Sequence, residues 1–255
     1  MPLELLTIPC LSDNYSYLVH DPASGQTVVV DVPEAAPILA GLQARGWALS
    51  DIWLTHHHSD HVDGVAQLRA ATGAMVIGNQ SDAHRLPALD LAWADGLTFT
   101  IGAQTVQVID VPGHTVGHIA FHIPSARLAF TGDSLMSGGC GRMFEGNAPD
   151  YWRSLTRLAA LPPDTLICSG HEYTTGNLRF AQSLDPANEA LMSRIVRVAA
   201  LRTAGKPTVP VLLSEELASN PFLRAGTQAM KNAVGMPDAT EAEVFSELRA
   251  RKDRF

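Results

Sequence analysis

Residues Thr55-His56-His57-His58-Ser59-Asp60-His61 place five metal-ligating side chains in seven positions. The run follows an apolar, strand-like piece, Ile52-Trp53-Leu54. Extended backbone sends successive side chains to opposite faces, so His56 and His58 point one way and His57 the other. Asp60 and His61 then fall at the start of a helix expected from Val62 to Ala71. Two imidazoles can serve one metal ion, while a carboxylate and a further imidazole serve a neighbouring one.

The elements that must position such ligands are short and regular. Leu3–Ile8, Tyr15–His20 and Thr27–Val30 read as strands separated by turn residues, and Glu34–Arg45 reads as a helix ended by Gly46. A strand at Asp51–Leu54, the histidine-rich stretch, the helix through Ala71 and a strand at Ala74–Ile77 make a βαβ unit. Ligand sites in layered α/β folds lie at the carboxyl ends of such strands. Further strands are expected at Leu97–Ile101, Gln104–Val111, His118–Ile123 and Arg127–Thr131, with a helix at Asp150–Leu161 and a strand at Thr165–Cys168. Three of these strands run into Gly113-His114, Gly132-Asp133 and Gly170-His171. Each glycine lets the backbone turn so that the next side chain enters a shared cleft. Singly, His114 or Asp133 is an ordinary turn residue and Asp60 a helix cap. Three apolar strands that all end in this way read as ligand loops.

The HxHxDH run of His56, His58, Asp60 and His61 resembles the metallo-β-lactamase fold superfamily. The fold expected is α/β: an αββα sandwich of metallo-β-lactamase type over residues 1–172, carrying the metals and the catalysis, followed by a small all-helical domain over 173–255. The ligand set expected is His56, His58 and His114 for one metal and Asp60, His61 and His171 for the other, with Asp133 bridging both. Imidazole and carboxylate donors suit zinc and also tolerate iron or manganese. Two such ions about 3.5–4 Å apart generate hydroxide at neutral pH, which makes metal-assisted hydrolysis the reaction class, with no serine or cysteine nucleophile. His57 is read as structural, His118 as a neighbour behind the ligands, and Asp31 and Asp63 as acceptors that orient ligand histidines. His20, His84 and His122 receive no role.

Composition narrows the rest. Apolar residues are 46% and charged residues 17% of 255, the balance of a folded globular protein. No run of apolar residues is long enough to span a membrane, and the first basic residue is Arg45. Three scattered cysteines, Cys10, Cys140 and Cys168, form no disulfide framework, so a cytoplasmic protein is expected, with Cys140 and Cys168 as buried or packing thiols. Net charge is −8 and divides unevenly: residues 1–172 hold 17 acidic and 7 basic residues (−10), residues 173–255 hold 9 and 11 (+2). That balance argues against a nucleic-acid partner and suits a small anion near the tail. The tail itself reads as helices at Leu178–Leu184, Asn188–Thr203, Ser214–Leu217 and Glu241–Lys252, without strands. In the longest, Leu191, Ile195, Val198 and Leu201 form the apolar stripe, and Arg194, Arg197 and Arg202 are read as its solvated face.

Over its whole length the chain resembles glyoxalase II, the hydroxyacylglutathione hydrolases. The resemblance is carried by Leu11-Ser12-Asp13-Asn14-Tyr15, Thr55 to Gly64, Pro112-Gly113-His114-Thr115, Gly132-Asp133, Gly170-His171-Glu172-Tyr173, Ser219-Asn220-Pro221-Phe222-Leu223-Arg224 and Arg249-Ala250-Arg251-Lys252-Asp253. It implies hydrolysis of S-2-hydroxyacylglutathione, typically S-D-lactoylglutathione, by the metal-bridging hydroxide, the second step of methylglyoxal detoxification. It also implies that Arg142, Arg249 and Lys252 hold the glutathione carboxylates and that Tyr173 offers a hydroxyl. The partner is then a small-molecule thioester, with no nucleic acid or membrane, and the protein a monomer. Two positions depart from the family. Arg142 stands where lysine is common, which keeps charge but changes geometry. Phe144 stands where tyrosine is usual, which removes a hydrogen bond worth on the order of 1 kcal/mol. The rival readings are a mononuclear-iron persulfide dioxygenase, another hydrolase of the fold such as a lactonase or β-lactamase, and a non-catalytic metal-binding domain.

Overall fold

The computed structural model describes residues 2–255 as two compact units. One comprises residues up to 110 with 117–132, and the other 111–116 with 133–255.

The first unit opens with a hairpin of β1 (Glu4–Cys10) and β2 (Asn14–His20), antiparallel from Glu4↔His20 to Cys10↔Asn14. β3 (Thr27–Val30) pairs antiparallel with β2. α1 (Ala35–Arg45) is stopped by Gly46 at φ 66°, as its sequence predicts. Glu34 precedes it without capping it, because its Oε1 accepts the Leu11 N–H instead. β4 (Asp51–Trp53) lies parallel to β3. The expected helix from Val62 is two helices, α2 (Ser59–Val62) and α3 (Val65–Thr72), broken at Asp63-Gly64. A Cβ at Gly64 would stand 2.8 Å from the Ala35 nitrogen, so the close approach to α1 selects glycine there. β5 (Met75–Asn79) and β6 (Leu91–Trp93) complete a mixed six-stranded sheet in chain order.

A second antiparallel run follows: β7 (Thr98–Ile101), β8 (Gln104–Asp110), β9 (Ile119–Ile123) and β10 (Leu128–Gly132). The central strands of the first sheet are buried on both faces. Ile52, Leu54, Val29 and Val76 pack with Ile38, Leu42, Val65 and Leu68 of the helices. On the opposite face Trp53 meets Phe99 edge-on at 5.0 Å and Phe121 at 5.3 Å. Each fully buried side chain of this size contributes about 1.5–3 kcal/mol. Residues 51–61 therefore leave a rigid core strand and enter the histidine run from fixed backbone.

The second unit holds a two-residue ladder of β11 (Leu135–Met136) and β12 (Gly139–Cys140), then α4 (Ala148–Ala159), capped by the Asn147 side chain. β13 (Leu166–Ser169) precedes α5 (Thr174–Leu184) and α6 (Glu189–Thr203). The tail is not free of strands: β14 (Val211–Leu212) pairs antiparallel with β13 before α7 (Leu213–Ser219), α8 (Gln228–Ala233) and α9 (Glu241–Arg254). Two residues carry too little pattern to announce a strand. Arg194 is also not solvated. It is 2% exposed and is held by Glu216, Ser137 and Ser219. It shares the buried stripe with Leu191 and Val198 at spacings of three and four, and a buried guanidinium persists only with such partners. Among the described residues, no helix is long and apolar enough to cross a membrane.

Candidate metal centre

In the first unit β4 delivers the histidine run. His56 and His61 are fully buried, and His58 is half-buried at the start of α2. Asp31, at the end of β3 with φ 58°, organises them. Its carboxylate accepts the Thr55 N–H and the Thr55 hydroxyl, both at 2.8 Å, and the Nδ1–H of His61 at 2.9 Å. The Thr55 hydroxyl, having donated to Asp31, accepts from His56 Nδ1 at 3.0 Å. Both imidazoles thus carry their proton on Nδ1 and present an Nε2 lone pair. His56 Nε2 stands 3.1 Å from His58 Nδ1. His118 stacks on His56 at 4.6 Å, and His57 turns away to the buried Asp82, which Arg85 also binds. His57 is thus held away from His56 by Asp82, and His118 lies against the His56 ring. Of the two expected acceptors, Asp31 fills the role and Asp63 is exposed.

In the second unit three loops converge on one carboxylate. His114 Nε2 lies 3.4 Å, and His171 Nε2 3.3 Å, from Asp133 Oδ2. The Nδ1–H of His114 donates to the Arg142 carbonyl at 2.7 Å, which leaves its Nε2 unprotonated. Glycine is needed at two of the three turns. Gly132 has φ +47°, and a Cβ there would reach Thr55 Oγ1 at 2.6 Å; Gly113 has φ +147°, and a Cβ there would stand 2.1 Å from the Tyr151 ring. Gly170 is not among the positive-φ glycines.

The chemistry of the donors fits a divalent metal. Tetrahedral zinc with ligands at about 2.0–2.1 Å sets neighbouring donors about 3.3–3.4 Å apart, and each half holds donor pairs at 3.1–3.4 Å. Asp31, His56 and His61 also offer ligand atoms within 4.8 Å of one another. The three thiols are no competitors: burial pushes Cys10, Cys140 and Cys168 up, away from the thiolate.

Of the cations expected to bind substrate, Arg249 and Lys252 lie on α9, and Arg142 approaches Asp253 of the same helix. Arg249 is buried and donates through Nη1 to the Cys140 carbonyl at 2.8 Å and through Nη2 to Asp253 at 2.9 Å, with Phe222 under its plane. Arg142 approaches the same Asp253 oxygen at 3.5 Å and lies over Phe144. Lys252 donates to the Gly176 carbonyl at 3.1 Å and sits over Phe180 and Phe255. Burial, then Arg249 and Arg179, hold Lys252 below the ordinary lysine range. Tyr173 stacks flat on His171 at 4.6 Å.

Sequence reasoning missed Tyr151 and Asp253. The buried Tyr151 hydroxyl lies within reach of the Asp133, Ser134 and Gly141 carbonyls, at 3.3, 2.9 and 3.1 Å. Its spacing with Leu155 and Leu158 reads only as core. Asp253 lies inside a quoted tail motif, yet acidity at a cationic site gave no reason to select it.

Residues 12–171 match the family model described as the metallo-beta-lactamase superfamily, and residues 172–255 match the hydroxyacylglutathione hydrolase C-terminus. A hydroxyacylglutathione hydrolase of Cereibacter sphaeroides is 63% identical over the full length of both chains. The crystal structure of ETHE1 from Myxococcus xanthus is 26% identical, with a TM-score of 0.67, over 99% of this chain and 98% of that one. The structure of TTHA1623 in a di-iron-bound form is 30% identical, with a TM-score of 0.56, over 66% of this chain and 91% of that one.

Proposed function

The chain belongs to the hydroxyacylglutathione hydrolases of the metallo-beta-lactamase superfamily, and from that premise we propose that it hydrolyses S-2-hydroxyacylglutathione, typically S-D-lactoylglutathione, to a 2-hydroxy acid and glutathione. The two half-sites are read as one dinuclear centre, with His56, His58 and His114 on one ion, Asp60, His61 and His171 on the other, and Asp133 on both. Zinc is the preferred metal, and the di-iron form of TTHA1623 supports iron as an alternative. Bound there, the ions would supply a Lewis acid for the thioester carbonyl and hydroxide at neutral pH.

The chain's own residues do the remaining work. Asp31, Thr55 and the Arg142 carbonyl hold the Nδ1 protons of His61, His56 and His114, so that each ring offers one nitrogen in one orientation. Arg249 and Lys252 of the segment 173–255, which serves substrate binding, hold the glutathione carboxylates together with Arg142 of the loop after Asp133, and Tyr173 offers its hydroxyl. Lys252 spends one of three ammonium hydrogens on Gly176 and keeps two for a ligand. The leaving thiol has an ordinary pKa of about 8.5, so it departs as thiolate without a dedicated acid. The working form proposed is a cytoplasmic monomer acting on a small-molecule thioester.

The observation that carries this reading is the full-length likeness at 63% identity, which includes the helical tail that carries Arg249 and Lys252. Loss of thioester absorbance from S-D-lactoylglutathione tests it. Turnover with two metals per chain is expected. A single redox metal with oxygen uptake and no hydrolysis would replace this reading with the persulfide dioxygenase.

A further inference from the structure

Asn14 begins β2, opposite Cys10, and is buried. It belongs to the Leu11–Tyr15 motif, to which the catalytic reading gives no task. Its Nδ2 donates to the main-chain carbonyl of Asp60 at 2.9 Å and to Oδ2 of the same residue at 3.2 Å. Both partners are acceptors, so the amide nitrogen, not the oxygen, must face them. Two residues further along the same strand face, Ser16 donates to the Asp31 main-chain carbonyl at 2.9 Å. One face of β2 therefore braces both acidic residues of this half-site.

The Asp60 side chain is 42% exposed and stands on the first turn of a four-residue helix. Tying its Oδ2 and its own main-chain carbonyl to a single amide narrows the directions open to it. The Oδ2 atom it fixes lies 3.8 Å from His61 Nε2, its partner in the proposed second metal site.

We infer that Asn14 is a positioning residue that presets the Asp60 carboxylate for the second metal, an inference that rests on the dinuclear reading above. Ordering the ligand before the ion arrives removes an entropic cost from binding at that site alone. Loss of such an outer hydrogen bond lowers metal affinity by about 10–100-fold.

The test is metal titration of apo-protein against a competing chelator, in the wild type, Asn14→Ala, Asp60→Ala and the double variant, with the melting temperature of each apo-protein. The expected result is an Asn14→Ala protein that keeps one tight metal and binds the second about 10–100-fold more weakly. The same substitution should have no effect on metal binding in the Asp60→Ala background. Unchanged second-metal affinity in Asn14→Ala, an equal loss at both sites, or a loss that persists without Asp60 overturns the inference. A wild type that binds fewer than two ions overturns the dinuclear reading and this inference with it. If Asn14→Ala does not fold, Asn14→Ser is read against the same outcomes, since its hydroxyl has one hydrogen and cannot serve both Asp60 acceptors.

Discussion

The two regions proposed to bear the metal ligands are built on opposite principles. His56, His58, Asp60 and His61 lie within six consecutive residues, and their geometry is set by one strand, one short helix and the Asp31 carboxylate. His114, Asp133 and His171 are spread over 58 residues and meet only because three loops end at the same carboxylate. The first region carries its own order, while the second borrows it from backbone carbonyls and from the tail. Tyr151 and Arg249 both reach the loop at Cys140–Gly141, next to the Arg142 carbonyl that holds His114. Damage to the first region should therefore stay among its neighbouring histidines, and damage to the second should spread through its loops.

Asp133→Ala is the strongest challenge to that contrast. It removes the point on which His114 and His171 converge, and the dinuclear reading expects loss of both metals and a fall in kcat/KM of at least about 10³-fold, roughly 4 kcal/mol of barrier. Elemental analysis of the folded variant decides it. Two retained ions would show that Asp133 bridges nothing. In the first region Asp31→Asn should do less, since asparagine tolerates the positive φ but replaces the charged acceptor of His61 with a neutral one. Metal affinity should fall by about 10–100-fold with the fold intact, as measured by chelator competition.

The contrast also explains what the sequence made legible. A period-two histidine run after an apolar strand announces its own geometry, so His56, His58 and the outward His57 could be placed from spacing alone. Strands that end in Gly-His or Gly-Asp mark His114, Asp133 and His171 as candidates, but nothing local says that their loops meet. Tertiary supports were invisible for the same reason. Tyr151 looks like core, Arg194 looks like surface, and Asn14 looks like a turn residue until the partner 46 positions away is known. The break at Gly64 followed from packing against α1, which no window of sequence around it contains.

Within the tail, the comparison separates two cations that the family resemblance treats alike. Lys252→Ala removes a partly exposed donor that bonds a carbonyl and lies over two rings, so KM should rise about tenfold with kcat nearly unchanged, about 1.4 kcal/mol of binding. Arg249→Ala also removes the clamp on Cys140 and Gly141, so kcat should fall along with the rise in KM. Equal KM-only effects would remove Arg249 from the support of the loop. The Lys252 contribution should depend on pH. Its ammonium is charged below its pKa and lost above it, and that pKa is lowered by burial, Arg249 and Arg179. KM should therefore begin to rise with alkalinity below the pH at which an ordinary lysine, near 10.4, would lose its charge. In Lys252→Ala that rise should disappear.

The smallest effect is expected at Phe144, which is 59% exposed and whose ring meets His114 edge-on at 5.4 Å and lies under the Arg142 guanidinium. The ring already has the position of an aromatic that could present a hydroxyl, and solvent exposure leaves room for one. Phe144→Tyr should therefore add a hydrogen bond to glutathione without disturbing His114, and lower KM by up to about fivefold, the equivalent of about 1 kcal/mol. Comparison of KM for the thioester with inhibition by free glutathione separates the causes. If both tighten together, the hydroxyl binds the glutathione moiety. A change in kcat instead would mean that the ring acts on His114, and that even the exposed edge of the second region transmits disturbance to its ligands.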